Sequence, residues 1–118
     1  MAINRIYKSG SAIPLTCTAP TTPSSGDPVL CGQIPGVALT DEDDAGVTTV
    51  QTDGVFDLSV KAENNAGNVA VAAGDILYYD TAATVKVNKD NTNGVRFGYA
   101  LEAITSGSTD TIQVKIGY

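Results

Sequence analysis

Apolar residues along the chain recur at every second position in short runs, and each run ends in glycine, proline or small polar residues. Ile13-Pro14-Leu15-Thr16-Cys17-Thr18 alternates in this way and predicts a strand. The stretch Ala19-Pro20-Thr21-Thr22-Pro23-Ser24-Ser25-Gly26 follows. Its prolines lack ladder donors and its small polar side chains cannot fill a core, so it predicts a loop. Val29 to Ile34 and Val37 to Thr40 predict two strands bent at Pro35-Gly36, with the acidic tip Asp41-Glu42-Asp43-Asp44 beyond them. Val47 to Lys61 predicts a hairpin turning at Thr52-Asp53-Gly54, where glycine supplies the positive φ of a tight turn.

Asn64-Asn65-Ala66-Gly67-Asn68 is a further turn, and Gly74-Asp75 leads into the strand Ile76-Leu77-Tyr78-Tyr79. Val85 and Val87 precede a polar turn from Asn88 to Gly94. Val95 to Ile104 and Thr111 to Ile116 are closing strands around Thr105-Ser106-Gly107-Ser108. Short strands at this spacing predict an all-β domain, a small barrel or sandwich with little or no helix. An internal echo accompanies them. Ser25-Gly26-Asp27-Pro28-Val29 followed by Gly36-Val37-Ala38-Leu39 resembles Ala73-Gly74-Asp75-Ile76-Leu77 followed by Gly98-Tyr99-Ala100-Leu101. The unequal spacing fits either duplication or shared barrel geometry.

The 118 residues fit one domain. We expect residues 1–118 to form a single β domain, with an N-terminal segment and loop at 1–24 and a barrel body at 25–118. Charged residues make up 17% of the chain, below the roughly 25% of an ordinary domain, so turns and small β-formers dominate. The net charge of −6 comes without a basic cluster, which argues against nucleic-acid binding. No apolar run reaches a membrane-spanning length, and Met1 to Lys8 holds no secretory apolar region, so synthesis in a cytosol is expected. Cys17 and Cys31 match neither a metal knuckle nor a redox motif; they read as small core residues, and their spacing leaves a disulfide open.

Candidate chemistry is sparse. The absence of histidine removes the commonest general base near neutral pH and the commonest zinc ligand. Asp41, Asp43 and Gly46 match three positions of a calcium loop, but Ala45 and Thr52 stand where ligands are needed, so Asp41 to Asp44 predicts a solvated tip. Asp27, Asp53, Asp75 and Asp80 occupy turn positions, and Asp57 and Glu102 fall on the outer face of strands. Neither a phosphate loop nor a nucleophile elbow is present. Tyr7, Phe56, Tyr78, Tyr79, Phe97 and Tyr99 lack the basic groove of a single-strand stacking platform, with Arg96 the nearby cation, and predict core and interface packing. We expect no catalytic residue, no metal site and no cofactor.

Five segments, taken in order, resemble a family of capsid cement, or head-decoration, proteins encoded among phage and prophage head genes. They are Ser25-Gly26-Asp27-Pro28-Val29, Pro35-Gly36-Val37-Ala38, Asp53-Gly54-Val55-Phe56-Asp57-Leu58, Ala73 to Asp80, and Gly94 to Ala103, behind a matching Ile13-Pro14-Leu15-Thr16 strand. The resemblance implies a small β-barrel-like domain that trimerises on the outside of an icosahedral head and bridges major capsid subunits. It implies no catalytic residues. Chemistry adds a candidate contact: Ile3, Ile6 and Tyr7, ahead of a Ser-Gly hinge, can add a strand to a capsid loop by edge pairing. The same residues also read as an ordinary first strand. A different class of function is a carbohydrate- or receptor-binding module of a phage tail or fibre, which the adjacent Tyr78 and Tyr79 keep open because one of them must face outward.

Overall fold

The structure is a computed structural model and describes residues 12–117. Among these there is no helix, and eleven short strands carry the fold. The first four, β1 (Ala12–Leu15), β2 (Pro28–Cys31), β3 (Ile34–Ala38) and β4 (Thr48–Gln51), form an antiparallel sheet in the order β1-β4-β3-β2. The barrel strands are β5 (Gly54–Lys61), β8 (Ile76–Tyr79), β9 (Val87–Asn88), β10 (Val95–Ala100) and β11 (Thr109–Ile116). They close in the order β10-β11-β5-β9-β8. A small hairpin, β6 (Glu63–Asn64) and β7 (Gly67–Asn68), caps one connection. The all-β expectation therefore holds. The barrel strands begin at Gly54, and residues 28–51 belong to the separate four-stranded sheet.

Alternation explains the barrel. In β11 the side chains of Ile112, Val114 and Ile116 are buried while Thr111, Gln113 and Lys115 are exposed. Its ladder with β5 runs unbroken from Thr109↔Lys61 to Ile116↔Gly54, which places Leu58 opposite Ile112. Leu77, Tyr79, Val87, Phe97 and Ala100 complete the interior, with the Tyr79 and Phe97 rings tilted at 6.1 Å. A buried side chain of this size stabilises by about 1.5–3 kcal/mol, so the inward row of these strands is the main source of folding free energy.

β2 is buried at Val29, Leu30 and Cys31 in succession, because both of its faces are covered. Leu30 and Val37 face the barrel core. Val29, Cys31 and Ala38 face a second small core with Cys17, Val50 and Leu15. The chain beyond β1 returns to β2 through the bridge Ala19↔Leu30, so the two outer strands of the sheet are drawn together. Pro14 lies in β1 and Pro28 opens β2. The Ala19–Pro20 peptide is cis.

The internal echo is structural. The Gly26 N–H donates to the Ala38 carbonyl and the Ala38 N–H returns to the Asp27 carbonyl, at 2.7 and 2.9 Å; Gly74, Ala100 and Asp75 repeat this pair at the same distances. Ser24 N–H and Ala72 N–H each donate to the carboxylate of the aspartate three residues on, at 2.9 and 2.8 Å. Both turns need a positive φ, +91° at Gly26 and +93° at Gly74, which only glycine adopts without strain. Leu39 then donates to Thr49, and Leu101 to Gln113. The order β1-β4-β3-β2 is thus repeated by β5-β11-β10-β8, so the two halves share one wiring.

Two sequence expectations are corrected. The bend between β2 and β3 falls at Gly32-Gln33, where Gly32 has φ +68°, and not at Pro35-Gly36. Gly36 instead lies flat against β4: a Cβ there would sit 2.5 Å from Val50 Cγ1. Cys31↔Ile34 closes the turn, so the Pro35 nitrogen points away from β2, on a side where β4 pairs only from Val37 onward. Val47 to Lys61 is not a hairpin either. β4 pairs with β1 and β3, whereas β5 pairs with β11 and β9, and Gly54, at φ +106°, carries the chain from one sheet into the other.

Core packing makes two testable statements. Phe97→Ala empties the largest fully buried side chain and is expected to cost about 3–5 kcal/mol in urea unfolding, whereas the same change at exposed Val55 should cost well under 1 kcal/mol. Equal losses at the two positions would refute this core. Burial, helped by the charge of Asp27, pushes the Tyr79 phenol up to about 12. The folded state therefore favours the neutral phenol, so Tyr79 contributes stability that is intact below its ordinary value near pH 10 and lost as pH climbs toward 12. Cys31, also raised by burial and by the Cys17 thiol, acts with the same sign. Urea midpoints followed from pH 9 to 12 should fall, and less steeply in Tyr79→Phe; identical slopes would contradict it.

Candidate functional site

Ile3, Ile6 and Tyr7, the candidate capsid contacts, lie outside the described residues. The described residues contain no cavity and no group of three acidic, cysteine or histidine side chains able to hold a metal. What they offer is surface.

In the acidic tip between β3 and β4, Asp43 holds the tip's own backbone and Asp41 the backbone of the proline-rich loop. Asp43 Oδ1 accepts from the N–H groups of Ala45 and Val47, both at 2.9 Å, and Asp41 Oδ1 accepts from Ser25 at 2.8 Å. The Ser25 hydroxyl donates to the Leu39 carbonyl and the Glu42 N–H to that of Pro23. These bonds tie the tip to the proline-rich loop, so two loops that read as separate in the sequence form one end of the sheet. The other acids also make turns. Asp90 accepts from the N–H groups of Thr92 and Asn93 and from the Asn93 amide. Asp75 accepts from Lys89 Nζ at 2.9 Å, and this cation, followed by the Ala72 N–H, holds its carboxyl below the usual range. Asp57 is exposed on β5, as alternation predicts, whereas Glu102 lies beyond the end of β10 among exposed neighbours Leu101 and Ala103, and accepts from the Gln113 N–H.

The aromatic residues divide between inside and outside. Tyr79, Phe97 and part of Phe56 belong to the core, and Tyr78 and Tyr99 are half-buried on the outer face of the barrel. A β-bulge decides this. β10 pairs Arg96 with Tyr78 and then Gly98 with Leu77, so Phe97 is the extra residue and both it and Gly98 face inward. Arg96 and Tyr99, which an unbroken strand would put on opposite faces, therefore share the outer one. The Arg96 guanidinium donates to the Tyr99 hydroxyl and lies 5.3 Å from its ring centre, and Lys115 Nζ lies 5.9 Å from the same ring. Gly98 allows the bulge, since a Cβ there would fall 2.3 Å from the Lys115 carbonyl oxygen.

Sequence reasoning counted Arg96 as the cation near these aromatics and missed Lys115, which arrives from β11 across Tyr99↔Lys115. A glycine inside an otherwise apolar strand was the available sign of the bulge. The same outer face carries exposed Val55 and Leu101, while Ile34 and Leu39 are exposed on the four-stranded sheet. Single exposed apolar side chains of this kind are ordinary. Among the described residues this outer face offers stacking, charge pairing and packing.

No curated protein and no solved structure matches the chain. A family model described as phage cement protein matches residues 7–116, nearly the whole sequence. The segments that carry the resemblance are the same ones that build the fold: the paired glycine-aspartate turns, the Gly54 crossover and the bulged β10. The chain belongs to the phage cement protein family, whose members are structural, capsid-associated proteins of phage virions.

Proposed function

We propose that the protein decorates and stabilises a bacteriophage head from the outside, as a homo-oligomer, with three copies bridging neighbouring major capsid subunits. The family match over residues 7–116 is the observation that carries this reading. A surface without a described cavity suits it, because three modest footholds on one trimer act at high effective concentration and need no deep pocket. In this reading residues 1–118 work as one β domain. Segment 1–24 supplies the capsid contact through Ile3, Ile6 and Tyr7, by adding a strand to a capsid loop. Neither nucleic acid nor membrane takes part.

A carbohydrate- or receptor-binding module of a phage tail or fibre is the second reading. Half-exposed Tyr78, opposite Arg96 across β8 and β10, is the observation that favours it.

Light scattering of the purified protein, followed by co-pelleting with expanded empty heads that lack it, separates the two. A trimer that pellets at stoichiometric occupancy is expected. A monomer that ignores heads and binds glycans through a Tyr78-dependent surface would replace the first reading with the second. Deleting residues 2–8 should abolish pelleting while leaving the oligomer and its thermal unfolding intact, and undiminished pelleting would remove Ile3, Ile6 and Tyr7 from the contact.

A further inference from the structure

The small core of the four-stranded sheet contains a pair of thiols that the decoration role does not use. Cys17 Sγ and Cys31 Sγ lie 2.8 Å apart, both buried. Cys17 follows β1 by two residues and Cys31 ends β2, so the sulfurs meet where the two outer strands of the sheet are drawn together. The backbone around them is fixed from both sides. The N–H groups of Thr18 and Ala19 donate to the Leu30 carbonyl at 2.8 and 3.1 Å, and the Leu30 N–H returns to Ala19 at 2.7 Å. The Thr18 hydroxyl donates to the Leu30 carbonyl and accepts from the Gly32 N–H, both at 3.1 Å.

We propose that Cys17 and Cys31 are a latent crosslink, which a low-molecular-weight disulfide of the oxidised-glutathione type converts into an intramolecular disulfide fastening the segment after β1 to the end of β2. One cysteine, as thiolate, attacks a sulfur of the small disulfide; that S–S bond breaks, a small thiolate leaves, and a mixed disulfide forms. The second cysteine, also as thiolate, then attacks the protein sulfur of the mixed disulfide and expels the second small thiolate. Two protein thiols are oxidised, one small disulfide is reduced to two thiols, and the protons lost by the cysteines end on the leaving thiolates. The sulfurs need to approach by only about 0.8 Å to reach bonding distance, within the reach of side-chain rotation.

Geometry also says what the bond would do. The neighbouring side chains Leu15, Val29, Ala38 and Val50 make a core much smaller than that of the barrel. A small core gains most from a covalent tie. The enclosed loop spans fourteen positions and includes the proline-rich segment, which the crosslink would restrain in the unfolded chain. A cytosol keeps the thiols reduced, and an oxidising medium outside the host would set the tie. The chemistry depends on the thiol pair alone and not on head binding.

The full chain, reduced and then incubated with oxidised glutathione under native conditions, tests this by mass spectrometry and thiol counting. The expected product has lost two hydrogens and both reactive thiols, carries no glutathione and runs as a single chain on a non-reducing gel. Its melting temperature should rise by about 10 °C over the reduced protein. Cys17→Ser and Cys31→Ser should each stop at a stable glutathione adduct. A persistent adduct on the wild-type chain, chain-to-chain dimers, a crosslink formed only in urea, or an unchanged melting temperature would overturn the proposal. The wild-type product decides the outcome even if a serine variant fails to fold.

Discussion

The ladder between β5 and β11 is the constraint on which the rest of the molecule hangs. It joins residues 48 to 62 positions apart in sequence through eight successive pairs, and every other barrel strand is placed relative to it. β10 docks on the far side of β11, β8 on β10, and β9 bridges β8 back to β5 through Tyr79↔Val87 and Val60↔Val87. Such non-local pairing costs chain entropy before any burial repays it, so a β-rich domain of this kind forms slowly compared with a helical one. Closure of the barrel then runs through β9, which meets the other edge of β5 at Val60↔Val87.

The first half repeats this wiring with smaller parts. Where the barrel encloses Leu77, Tyr79 and Phe97, the four-stranded sheet encloses Val29, Cys31, Ala38 and Val50. The two halves then meet through Leu30 and Val37, which turn their side chains into the barrel core. The echoed glycine-aspartate turns belong to this shared wiring. Their hydrogen bonds coincide closely, and the unequal spacing is absorbed by the connections, including the β6–β7 hairpin and the long turn around Asp90.

Strand positions were legible in the sequence wherever alternation was clean, as in Thr111 to Ile116, and wherever a positive-φ glycine marked a turn. What alternation cannot encode is partnership. Thr52-Asp53-Gly54 has hairpin chemistry, yet the strands on either side of it pair with others, since the choice is made by which distant strand offers the longer matched ladder. Gly36 and Gly98 misled or stayed silent for a related reason: both serve a close approach of two backbones, which composition does not distinguish from a turn. The outer cluster of Arg96, Tyr99 and Lys115 was hidden by the bulge that a period of two cannot register. The family resemblance, carried by ordered short motifs, was legible because those motifs are the turns that set the wiring.

Pro14 and Pro28 have a consequence for a protein of this family, whose members are associated with a phage capsid. The strands that hold them are the outermost of the open four-stranded sheet; the bridge Ala19↔Leu30 covers part of the β2 edge, and an exposed strand edge is a template on which an identical neighbour can polymerise. On a head decorated as proposed, crowding would make that encounter frequent. A proline at an edge removes a backbone donor that an incoming strand would need, so each edge accepts a weaker partner. Copies brought close together on such a head would then stand side by side without growing into a fibre.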